Sequence, residues 1–318
     1  MAAVMMLTLN LSAQVTMKEV ADAYNQGVQF AATSPEMAIK SFELAIKYAD
    51  EVGGDEAMAL KTNSMTQIPK LYYDWARALV GKNDLNGAVT QLKNCIAASE
   101  KYNNTQYPQM AKPTIAAIYL ALGNNAMKEK KFDDAIANYD SAIEYDAKNI
   151  KSYLGKVLVY NEQEMAAEMV EVAMAGMNVS PRPADMGVLE DIKKVVNAFY
   201  YNSAQKTMQA KDYAATEENL QNAIKFGMDS NPLVFYQLGL ARMSMNKWEE
   251  AVDALLEAAD IDESAAADEA KYYFNLGKSY EALGNAAKAC ESYKKALYGE
   301  FAQAAKFQIE NVLKCGIE

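Results

Sequence analysis

Apolar and polar positions along this chain follow a grammar that recurs. An aromatic residue is followed four positions on by a small one. Further along comes the string Ala-x3-[Phe/Tyr/Leu]-x2-Ala. Tyr119, Gly123, Ala135, Tyr139 and Ala142 make one copy; Phe235, Gly239, Ala251, Leu255 and Ala258 make a second; Tyr273, Gly277, Ala289, Tyr293 and Ala296 a third. Looser copies are Tyr72, Ala76, Ala88, Leu92 and Cys95, and Tyr200, Ala204, Thr216, Leu220 and Ala223. Steps of four and three lay side chains along one face of a helix. Each copy therefore predicts two helices, the second presenting its apolar face to the first.

The leading aromatic belongs to a doublet, and the doublets begin at 72, 119, 153, 200, 235 and 273, at intervals of 47, 34, 47, 35 and 38 residues. The base unit is about 34 residues, with about 13 extra after the copies that begin near 69 and 150. Tight turns are predicted at Lys130-Lys131-Phe132-Asp133 and Asn246-Lys247-Trp248-Glu249. The acidic pairs Asp133-Asp134 and Glu249-Glu250 then fall in the first turn of a helix, where the helix dipole favours negative charge. That placement explains them without general acid–base chemistry.

This grammar resembles the tetratricopeptide repeat family, whose unit is a helix–turn–helix of about 34 residues. Units fall at about 19–52, 69–102, 116–149, 150–183, 197–230, 232–265 and 270–303. Two are degenerate. Residues 19–52 keep Ala38, Phe42 and Ala45 but have Gly27 one position out of register, and residues 150–183 have Met169 where alanine is expected. The resemblance implies an all-α fold, a helix–turn–helix solenoid wound as a right-handed superhelix. One such hairpin cannot bury its own apolar face; stacking does so. Phe301 to Leu313 has no partner helix after it and reads as a C-terminal capping helix over 301–314. Asn178 to Asp191 holds two prolines and a glycine and is the expected bend between an N-terminal array (14–180) and a C-terminal array (190–318). Tyr102 to Pro108 reads as an inserted, exposed polar loop.

Neighbouring residues of a helix point about 100° apart, so the two members of a doublet cannot share a face. The first keeps company with the small residue and belongs to the seam. The second has its own neighbour four positions on: Tyr73 with Arg77, Leu120 with Asn124, Tyr201 with Gln205, Tyr236 with Leu240, and Phe274 with Lys278. In the family these offsets line a concave surface that contacts peptides, so the resemblance assigns these ten residues to a ligand groove. The implied function is a non-catalytic scaffold that holds a peptide or a segment of another protein. The alternative from another class is a cell-envelope glycan-binding protein that stacks the same tyrosines on sugar rings. A carboxylate clamp is disfavoured, because Asn124, Asn202, Lys271 and Asn275 sit at clamp-like offsets only in non-successive units.

Composition narrows the chemistry. The chain has 318 residues, 51% of them hydrophobic, a net charge of −11 and no histidine. The acidic balance argues against nucleic acid as partner. Lack of histidine removes Ser-His-Asp catalysis and most zinc sites, so no cofactor, metal or catalytic residue is expected. No apolar run is long enough to span a bilayer. Gly277-Lys278-Ser279 lacks the upstream glycine of a phosphate loop, and Asp260 to Glu263 lacks the glycine of a calcium loop. The three cysteines, Cys95, Cys290 and Cys315, form no framework. Free, partly buried thiols are expected, with a Cys290–Cys315 bridge as the alternative. Ala2 to Gln14 is uncharged and ends in small and polar residues, which reads as a secretory signal peptide cut after Ala13. Its basic leading region is missing. An exported, periplasmic protein is expected, or a cytoplasmic one if that segment is not a leader.

Overall fold

The computed structural model describes residues 14–315. The expected leader, residues 1–13, lies outside them. All regular structure among the described residues is helical, and the chain divides into two compact units, Met1–Ser152 and Tyr153–Glu318. The division precedes the proline-bearing stretch 178–191, which lies inside the second unit as a short turn, a 3-10 segment at Pro183–Asp185 and the start of the next helix.

The first unit holds three helical hairpins: α1 (Met17–Phe30) with α2 (Pro35–Val52), α3 (Asp55–Gly81) with α4 (Leu85–Lys101), and α5 (Gln106–Lys128) with α6 (Phe132–Tyr145). α7 (Ile150–Glu162) crosses the division and pairs with α8 (Ala166–Met177). The rest of the second unit is α9 (Met186–Gln209) with α10 (Tyr213–Ala223), α11 (Pro232–Ser244) with α12 (Trp248–Ile261), α13 (Ala266–Ala282) with α14 (Ala286–Lys295), and a final α15 (Ala302–Phe307). Seven helical hairpins thus follow one another among the described residues. The fold is all-α and of the tetratricopeptide type.

The seam follows the grammar. A Cβ added to Gly123 would stand 2.6 Å from the Tyr139 ring, one on Gly239 2.7 Å from Leu255, and one on Gly277 2.6 Å from Tyr293. The small residue is small because the large residue of the partner helix presses on the backbone there. Gly27, one position out of register in the sequence, meets Phe42 in the same way at 2.8 Å. It stands 15 positions before its large partner, against 16 in the other three pairs, and the contact is kept. Burial of the large partners is complete or nearly so: Phe42, Leu92, Tyr139, Leu220, Leu255 and Tyr293 are all at 1% exposure or less.

The turns explain why six of the seven first helices stop, the α1–α2 turn having no left-handed residue. Asn83, Lys130, Glu164, Lys211, Asn246 and Gly284 take left-handed backbone, with φ between 56° and 72°. In each of these six the second N–H beyond the helix then reaches a carbonyl of its last turn, as from Lys131 to Ala126 at 2.9 Å and from Asn285 to Tyr280 at 2.8 Å. This is a helix-ending motif that satisfies otherwise orphaned carbonyls.

Two expectations need correcting. The stretch Tyr102 to Pro108 is no exposed loop: a short turn ends at Thr105 and α5 begins at Gln106. The inserted residues lengthen first helices instead. α3, α5 and α9 run for 27, 23 and 24 residues, against 13 for α7 and α11. Their leading turns are buried by apolar residues, among them Ala57 in α3, Ala111 and Ile115 in α5, and Ile192 in α9. The second correction concerns the thiols. Cys290 and Cys315 are bonded, with Cα atoms 5.9 Å apart, because the capping segment turns back onto α14. Ala305 and Ile309 of that segment pack on Ala289, Tyr293 and Ala296. Cys95 alone remains free; it is buried, which pushes its thiol up to about 11.

Candidate interaction face

The ten residues assigned to a groove sit on the first helices of five hairpins. Tyr73, Leu120, Tyr201, Tyr236 and Phe274 are all half-buried, as are Gln205 and Leu240, while Arg77, Asn124 and Lys278 are exposed. In the first unit Tyr73 packs on the core of α3–α5 and meets the Tyr107 ring at 5.9 Å between centroids. Asn124 accepts a hydrogen bond from the buried Tyr139 hydroxyl at 2.9 Å.

In the second unit the rings form a ladder. Gln237 of α11 donates to the Tyr201 hydroxyl of α9, and Asn275 of α13 donates to the Tyr236 hydroxyl of α11, both at 3.4 Å. Gln237 and Asn275 occupy equivalent places, one residue beyond their doublets. The last rung is apolar: Phe274 meets Phe301 at 5.3 Å, next to the capping helix. Second members of the doublets therefore join successive first helices and leave one ring edge to solvent. Burial pushes the Tyr236 phenol above its ordinary value, against the pull of the Asn275 hydrogen bond. Asn275, one of the clamp-like positions, is itself buried and also donates to the Lys271 carbonyl at 2.8 Å, so it is occupied within the fold.

A cleft of about 570 Å³ opens beside this ladder between α7 and α9. Leu158, Val195, Ala198 and Phe199 supply its apolar wall; Asn161, Asn202 and Ser203 supply hydrogen-bonding groups. Lys206 and Glu164 pair across its edge at 3.6 Å. None of the ten assigned residues lines it. Sequence reasoning placed the binding surface on Tyr201 and Gln205, and the cleft turns on their neighbours Phe199 and Asn202. The signal was present, since Phe199 extends the doublet to three aromatics and Asn202 stands at a clamp-like offset.

Residues 116–149 and 270–298, which include α6 and most of α13 and α14, match the family model for the tetratricopeptide repeat. Stress-induced-phosphoprotein 1 of Caenorhabditis elegans is 43% identical over 58 residues, which make up 18% of this chain and 18% of that protein. The alignment thus spans under a fifth of that relative. Among solved structures, a MamA protein is 19% identical, with 62% of this chain and 96% of that one covered at a TM-score of 0.31. YrrB, described as a tetratricopeptide protein with an unusual peptide-binding site, is also 19% identical, with coverage of 62% and 89% and a TM-score of 0.31. The two matched stretches are tetratricopeptide repeats, and the surrounding hairpins repeat their seam.

Proposed function

We propose that this protein is a non-catalytic scaffold that holds a peptide or a protein segment along its first-helix face. The observation that carries the reading is the cleft between α7 and α9, which both helices line with apolar side chains and an asparagine each. An amide side chain both donates and accepts, so it can pair with the backbone of an extended segment whatever its sequence. The apolar wall would take one side chain of that segment. Tyr73, Leu120, Tyr201, Tyr236 and Phe274, with their neighbours, would extend the contact along each unit, giving large area at low entropy cost. Affinity of this kind depends weakly on salt.

We place the protein outside the cytoplasm, in the periplasm. The Cys290–Cys315 bond supports that reading, because disulfides persist in oxidising compartments. The apolar leader-like segment supports it independently. Among the described residues no helix is long and apolar enough to cross a membrane.

A photoreactive phenylalanine analogue placed at Asn202 tests the binding reading in the producing cell. Specific protein adducts are expected there and none from the same group at Gln303, an exposed position on the capping helix. Identical adduct patterns at the two positions would defeat it. Mass measurement of the mature chain should show a start at Gln14; retention of Met1 would remove the export reading.

A further inference from the structure

Successive second helices in the second unit enclose two equivalent clefts, and the chain closes one of them itself. Between α12 and α14 the floor is Tyr273 and Leu276, with Tyr280 at one end. Lys295 lies over the Tyr273 ring at 5.0 Å from its centroid, and Lys288 over Tyr280 at 5.3 Å. Their stems fill the space, and about 130 Å³ remains. Between α10 and α12 the same register puts Phe235 in the place of Tyr273, Leu238 in that of Leu276 and Arg242 in that of Tyr280. Here Glu257 stands 22 positions after Phe235, as Lys295 stands 22 after Tyr273; Glu250 stands 15 after, where the other cleft has Lys288. About 320 Å³ is open.

In the first unit a lysine reaches a leading aromatic from the preceding second helix. Lys93 of α4 reaches to 5.9 Å from both the Tyr119 and Tyr145 ring centroids. Its position, 21 residues after the leading aromatic of its unit, is held in α10 by Gln221. The cleft at Phe235 thus has an aromatic floor like its counterpart, and at each of the three positions from which a lysine reaches such a ring elsewhere it carries an acid or an amide. Its one internal cation is engaged elsewhere: the Arg242 guanidinium donates to the Glu217 carboxylate at 2.8 Å and to the Glu250 carbonyl at 3.0 Å. Asp253 and Glu257 are exposed at the rim, and the acidic wall continues past Arg242 to Glu218 and Glu250.

We propose that the α10/α12 cleft binds a lysine or arginine side chain from a basic segment of a partner protein, seated over Phe235 and between Asp253 and Glu257. An aromatic face attracts a cation, and two carboxylates raise that attraction. Ile224 and Leu238 beside the ring accept an apolar neighbour of the cation. The occupant is a segment in which lysine or arginine alternates with bulky apolar residues. This rests on the protein-binding reading above, but it uses the seam of second helices and none of the groove residues, and unlike the groove it is salt-sensitive.

The probe is a dye-labelled peptide, acetyl-Gly-Leu-Lys-Leu-Lys-Leu-Gly-amide, titrated by fluorescence anisotropy at low and physiological salt. The full chain should bind it with a stoichiometry of one. Replacing its lysines by norleucine, and separately Glu257→Lys in the protein, should each weaken binding about tenfold or more. Lys295→Glu opens the second cleft and should raise the stoichiometry to two. Equal binding of the norleucine peptide, or unchanged binding by the Glu257→Lys protein, overturns the proposal. A stoichiometry that stays at one in Lys295→Glu overturns the equivalence on which it stands. Loss of adducts at Asn202 would leave this titration unaffected, so the two readings fail separately.

Discussion

The hairpins α11/α12 and α13/α14 follow one another in the second unit and share a plan, yet they secure it by different means. Both press a large residue onto a glycine, Leu255 on Gly239 and Tyr293 on Gly277. Both turn through one left-handed residue, Asn246 or Gly284. Beyond that they diverge. α12 starts after Lys247, whose side chain makes no cap, and carries Glu249 and Glu250 in its first turn. α14 starts after Asn285, which accepts from the Lys288 N–H at 3.1 Å, and has no acid in its first turn. Asp84 and Asp212 cap α4 and α10 in the same way, again with no acid following, while α6 begins uncapped with Asp133 and Asp134. A helix start needs its N–H groups satisfied or its dipole compensated, and either device serves. Seam and turn are what the repeat must keep. The means of finishing helix ends is interchangeable.

The hairpins also differ in what ties them to their neighbours, and this gives the largest expected effect. Glu217 of α10 accepts from Arg242 at 2.8 Å and from Lys247 at 2.6 Å, with Glu217 and Arg242 side chains only 10% and 15% exposed. Glu217→Ala leaves Arg242 without its partner and should cost about 3–5 kcal/mol in denaturant unfolding. Titration sharpens this. Burial pushes the Glu217 carboxyl up, but the hydrogen bonds from Lys247 and Arg242 outweigh it and hold the group below its ordinary 4.5. Its stabilising contribution is therefore complete above that pH and is lost as the pH falls through the lowered value. Thermal melts of Glu217→Gln should show a flatter acid limb than the parent.

The α13/α14 hairpin relies on its disulfide instead. With the cysteines 25 positions apart, Cys315→Ser should cost about 3 kcal/mol. Hydrogen exchange should rise in α14 and α15 and stay unchanged in α10. The seam ranks next. Gly277→Ala drives a methyl into the Tyr293 ring and should cost about 1–3 kcal/mol, read from the denaturation midpoint. Ala204→Gly at the matching place in α9 should cost about 1–2 kcal/mol, from backbone entropy and the loss of a buried methyl. The helix starts come last. Asn285→Ala should lower stability by about 1 kcal/mol, and Glu249→Gln by about 0.3–1 kcal/mol, both measurable as shifts in melting temperature.

What the sequence disclosed and what it hid divide along physical lines. Short-range spacing within a helix is rigid, so the seam pairs Gly123 with Tyr139 and Gly277 with Tyr293 could be named in advance. Insertions have no such constraint. Tyr102 to Pro108 is polar, holds a proline and reads as loop, but Pro108 lies in the first turn of α5, where its missing N–H costs nothing. Ala111 and Ile115 then bury a face and complete the helix. Gly27 looked misplaced because it stands 15 rather than 16 positions before its large partner, yet it meets Phe42 all the same. The Cys290–Cys315 pairing depends on how far the capping segment folds back, which composition does not encode. The doublets assigned to the groove marked five first helices, of which α9 lines the cleft and α7, its other wall, was not among them. The cleft opened one residue away, at Phe199 and Asn202, because it depends on the spacing between α7 and α9 rather than on any pattern within either.

A linear stack of hairpins ordinarily frays from its ends, because a terminal repeat has a neighbour on one side only. Here the last hairpin is stitched to its own tail, and the stitch closes over Ala289, Tyr293 and Ile309. Peeling from the C-terminus would require a covalent bond to break first. In an oxidising medium that end becomes the most persistent part of the second unit, and a reductant turns it back into an ordinary loose end.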